Sequence, residues 1–74
     1  MKELDTVVLR RAMPEAGLEA GDVGAVVHCH PDDFYEVEFV SGEGGSVAVL
    51  TLPGTDLRPI QAREILHVRS LVRL

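Results

Sequence analysis

Hydrophobic and polar positions alternate along this chain in short runs, each closed by glycine, proline or aspartate. Phe34–Val40, FYEVEFV, is the clearest run: Tyr35, Val37 and Phe39 fall on one side of an extended chain, and Glu36 and Glu38 on the other. Thr6–Leu9 is β-branched and apolar and reads as a strand. Residues 24–30, GAVVHCH, form a second strand, launched by a tight turn in which Gly21 and Gly24 flank Asp22 and Val23. Pro31-Asp32-Asp33 is a turn, because proline presets φ and aspartate caps its own backbone. Residues 46–52, SVAVLTL, make a strand apolar on both sides, with Val47 and Val49 against Ala48, Leu50 and Leu52. Such a strand is sandwiched or lies at an interface.

Between these runs the chain turns. PEAGLEAGD, residues 14–22, is a loop in which Leu18 is the one large apolar anchor. SGEGGS, residues 41–46, is a hairpin loop with three glycines in six residues. PGTDLRPI predicts a short 3₁₀ piece, with Pro59 and Ile60 opening a last short strand. Five short antiparallel strands in about sixty residues predict an all-β domain, a small closed or half-closed barrel over residues 1–60. Residues 61–74 form a separate amphipathic tail, readable as helix or as strand because Arg63, Arg69 and Arg73 interrupt both periodicities.

Length and charge narrow the picture. Seventy-four residues make one domain near the lower limit of independent folding. The opening MKELDTVVLRR has no apolar leader core, and no run approaches a membrane span. A single cysteine, Cys29, points to a reducing compartment and hence the cytoplasm. The net charge of −5 divides unevenly: residues 1–56 carry −8 and residues 57–74 carry +3. An acidic body is a poor nucleic-acid footprint. The basic tail is expected to dock on an acidic face, of its own domain or of a second copy.

Candidate chemistry is sparse. His28 and His30 lie two apart on one strand and share a face, at roughly 6–7 Å between Cβ atoms. With Asp32 or Asp33 they are a minority metal site, and no other ligand cluster completes the four positions of a structural zinc. Cys29 points away from both histidines, so it is expected to pack as a small hydrophobe rather than act as a nucleophile. Glu36 and Glu38 read as a solvent face and not as an acid–base pair. The glycine loop lacks the lysine and following helix of a phosphate loop. Three aromatics and no tryptophan leave little for a proline-rich peptide groove.

The ordered set ELDTVVL, GDVGAVV, YEVEF and DLRPI carries a resemblance. GDVGAVV followed by YEVEFV is similar to small SH3-like barrels, among them the KOW-type barrels of ribosomal and transcription proteins. All four motifs together resemble a family of small bacterial proteins, common in cyanobacteria and catalogued as a domain of unknown function. The resemblance covers about residues 3–60. It implies an SH3-like five-stranded barrel, no assigned catalysis and no cofactor. It also implies a role as accessory or partner protein, in some members beside a neighbouring gene's product in a toxin–antitoxin-like pair.

The resulting expectation is a non-enzymatic scaffold or partner protein that associates with a second copy or a cognate protein. Strand 46–52 and the tail carry more apolar surface than so small a barrel buries. The expected interface is Val49, Leu50, Leu66, Val68, Leu71 and Val72, with Arg63, Arg69 and Arg73 pairing to acids of the partner. The alternatives are a metal or redox accessory role at His28 and His30, and a KOW-like nucleic-acid module.

Overall fold

The computed structural model describes residues 1–71. Five strands form one antiparallel sheet: β1 (Thr6–Leu9), β2 (Val23–His30), β3 (Phe34–Val40), β4 (Ser46–Pro53) and β5 (Leu57–Pro59). Their order across the sheet is β4-β3-β2-β1-β5. Two 3₁₀ turns, Pro14–Ala16 and Gly54–Asp56, are the helical pieces among the described residues. The chain is therefore all-β. The last strand begins at Leu57, earlier than the expected Pro59, because Leu57 drops into the core while Pro59, lacking an N–H, ends an edge strand.

The sheet is open yet strongly curled. Its outermost strands are β4 and β5, which would lie about 19 Å apart in a flat sheet of five strands. Only Gly54–Asp56 separates them in the chain, a link that reaches about 14 Å at full extension. The sheet must roll at that end, and one cluster results: Val7, Leu9, Val26, Val37, Phe39, Leu52 and Leu57 come from all five strands. Edge closure, expected of a complete barrel, is not made by backbone pairing between β4 and β5.

Loop residues finish the core. Met13 pairs with Leu18 through an isolated bridge, and Leu18 is only 3% exposed. The 3₁₀ turn between them ends at Gly17, whose φ of 72° suits a residue without Cβ. Gly24 is required for another reason: a Cβ there would lie 2.7 Å from Val37 Cγ1 and 2.9 Å from the Glu38 carbonyl oxygen. The β2–β3 turn places Asp32 and Asp33 at φ 63° and 61°, a region aspartate tolerates better than most residues.

Two bulges set which side chains face outward. Val27 is an extra residue on β2, between the pairs Val26–Val37 and His28–Glu36. Strict alternation from buried Val26 would aim His28 and His30 at the core. The bulge turns them instead to the Glu36 side, and turns Cys29 to the Tyr35 side. Val47 is the second extra residue, on β4.

Candidate functional site

The most constructed feature outside the core is the tail. Residues 61–71 form neither helix nor strand beyond one turn, so neither periodicity that the sequence left open is realised there. The reason is that charged groups of the domain hold this segment at two points. Arg58, at the edge of the sheet, donates from Nη1 and Nη2 to the two Glu64 carboxylate oxygens, both at 2.7 Å. Glu64 also accepts from the Gln61 backbone N–H at 2.8 Å. The Arg58 guanidinium and that N–H draw the Glu64 carboxyl down to about 2.

Arg69 makes the second attachment. Its Nε donates to Asp22 Oδ1 at 2.8 Å and its Nη2 to Asp22 Oδ2 at 2.6 Å. Nη2 also donates to the Gly17 carbonyl oxygen at 3.0 Å, and Nη1 lies 3.5 Å from Glu19 Oε2. Asp22 is ready for this, since the Glu19 backbone N–H already orients its Oδ2. The Arg69 hydrogen bonds hold the Asp22 carboxyl below its usual range, against the opposing effect of burial. The tail thus docks on the acidic loop of its own domain.

Between the two attachments the chain arches outward. Ile65 is 90% exposed, Leu66 63% and Val68 89%. After Leu66, residues 67–71 border a groove of about 510 Å³ whose floor is Leu18, Val23, Phe39, Val40 and Val47. Among the titratable groups of this groove, Asp22 and Arg69 neutralise each other, which leaves His67.

The remaining expected residues are scattered. Val49 is half-exposed on the outer face of β4 opposite Glu38, whereas Leu50 packs against the core cluster. Leu71 is half-exposed at the end of the described tail, and Arg63 is exposed. Arg69, expected to pair with a partner's acid, is occupied within the chain. Val72 and Arg73 lie outside the described residues. Strand geometry brings His28 and His30 together as expected, their rings edge to face with centroids 4.6 Å apart. Each meets a carboxylate, His30 Nε2 at 3.2 Å from Glu36 and His28 Nδ1 at 3.8 Å from Glu3. Among the described residues no group of three or more His, Cys, Asp or Glu is arranged to hold a metal ion. Cys29 does not pack as expected: it is exposed at the end of β2, where the core has run out.

Sequence reasoning missed Asp22, Glu64 and Arg58 as the tail's anchors. The signal was the opposed charge of body and tail, which gave the attraction without the pairing.

Residues 3–59 match the family described as Domain of unknown function (DUF4926). The chain belongs to this family. The match covers the whole sheet and stops where β5 ends, so both tail attachments join a family residue, Asp22 or Arg58, to a tail residue beyond the match. No curated protein and no solved structure matches the chain. No helix among the described residues is long and apolar enough to cross a membrane.

Proposed function

We propose that this protein is a non-enzymatic partner-binding module of the cytoplasm, and that the arch between Glu64 and Arg69 is its binding element. One observation carries the reading. A segment fixed at both ends by forked arginine–carboxylate pairs holds Ile65 and Val68 almost wholly in solvent and Leu66 largely so. Exposed apolar groups in a fixed arrangement mark an interaction surface. Ordering them beforehand reduces the entropy lost on binding.

The same charges speak against the other readings. Arg58 and Arg69 are committed to carboxylates, so two of the four arginines of residues 57–74 are neutralised within the chain, which weakens a nucleic-acid footprint. The carboxylate in the groove is held ionised by Arg69 and is a poor general base. An exposed unpaired thiol accords with a reducing compartment.

The partner chemistry is an apolar cleft on another protein, and the product of a neighbouring gene is the first candidate. Isothermal titration of that product against the full chain tests the reading. Binding that disappears in Val68→Asp supports it. Equal binding by wild type and variant overturns it.

A further inference from the structure

The two edges of the sheet are unlike. β5 is three residues long and contains Arg58 and Pro59, with Arg58 anchoring the tail beside it. A short strand bearing charge and proline is a protected edge. β4 is eight residues long, SVAVLTLP, and carries no charge at all. Its bulge at Val47 bends one end and leaves Ala48–Leu52 as regular strand. Beyond its ladder with β3, no backbone hydrogen bond involves residues 46–53 among the described residues. The tail crosses near Val47 without pairing to this edge. A row of unpaired N–H and C=O groups on an uncharged strand is a template for another strand.

We propose that β4 pairs antiparallel with β4 of a second copy, joining two sheets into one of ten strands. The occupant follows from charge and symmetry. A two-fold contact sets a strand beside its own copy, so a charge near the axis would be brought close to its like; β4 has none. Centring the axis on Leu50, the middle of the regular stretch, sets Val49 against Thr51 of the second copy, twice. Both residues are exposed on the outer face of β4. Both are β-branched, which suits cross-strand contact. Head-to-tail addition of β4 to β5 is the competing arrangement, and β5 offers it three residues, one without an N–H. This pairing uses neither the arch nor its attachments.

Sedimentation equilibrium of the full chain tests the proposal. The expected mass is twice the 8.0 kDa chain mass at high concentration, dissociating on dilution. An edge contact of this size predicts affinity in about the micromolar range. Val49→Lys places a lysine where Glu38 of its own β3 accepts it and a second β4 does not. It should weaken association at least about tenfold with an unchanged far-UV spectrum. Thr51→Lys, opposite Glu36, is the second variant. Amide exchange over residues 48–52 that slows with rising concentration supports the pairing without any substitution. A wild-type mass of 8.0 kDa throughout overturns the proposal. So does association undiminished in both folded variants, or a mass above two chains, which would signal head-to-tail growth. Val68→Asp should leave the mass unchanged, which separates this contact from the arch.

Discussion

Arg69 grips Asp22 across 47 residues of chain, with both carboxylate oxygens engaged at 2.8 and 2.6 Å. That pair ties a tail of no regular structure to the loop that launches β2. It is the reason residues 64–69 hold a defined course over the domain instead of trailing from it.

Removing the grip should free the tail and spare the sheet. Arg69→Gln is expected to raise amide exchange over residues 65–71 by about tenfold or more. The melting temperature should fall by no more than about 5 °C, the scale of an exposed ion pair in a small domain. Loss of exchange protection in β1–β3 would show instead that the tail supports the fold as a whole.

The attachments also carry a pH signature. The Glu64 carboxyl, ordinarily 4.5, lies at about 2 in the folded chain, and Asp22 is lowered from 3.8. A carboxylate lowered on folding contributes its full stabilisation above its unfolded value and loses it as pH falls through the folded one. The Glu64 attachment should therefore be complete above pH 4.5 and lost between 4.5 and about 2. The side-chain carboxyl carbon of Glu64, followed by NMR, should titrate near the lower value. A midpoint at the ordinary 4.5 would contradict the pairing with Arg58.

Two leucines distinguish anchor from ornament. Leu18 lies in a loop but is buried at 3% exposure, while Leu66 is 63% exposed. Leu18→Ala should cost about 2–4 kcal/mol by urea denaturation, as core truncations do. Leu66→Ala should stay within about 0.5 kcal/mol. Similar costs for the two would refute the division of core from arch.

Gly24 tests the close approach of β2 to β3. Gly24→Ala forces a methyl to within 2.7 Å of Val37 Cγ1 and 2.9 Å of the Glu38 carbonyl. The expected loss is about 1–3 kcal/mol in chemical denaturation. An unchanged midpoint would mean that the strands separate at little cost.

Much of the sheet could be read from the sequence because its signals are local. The alternation of Tyr35, Val37 and Phe39 with Glu36 and Glu38 gave β3 and its buried face together. The isolated apolar side chain of a polar loop marked Leu18 as an anchor. Cys29 was misread because it shares the Tyr35 side of the sheet but sits at the far end of β2, where the core has run out. Alternation tells which side a residue faces and not how far along a strand the core extends, and the Val27 bulge that sets those sides leaves no strong sequence signal. The tail stayed ambiguous because its course depends on Asp22 and Arg58, far from it in sequence, and not on its own periodicity.

The most direct test of the arch as a binding element is a binding isotherm of the full chain against the neighbouring gene's product. It should be measured for wild type, for Val68→Asp and for a His28→Ala, His30→Ala variant. The account predicts affinity at least about tenfold weaker in Val68→Asp and unchanged in the histidine variant, equivalent to about 1.4 kcal/mol or more at the arch. Binding retained by Val68→Asp and lost with the histidines would contradict it and move the function to the outer face of β2.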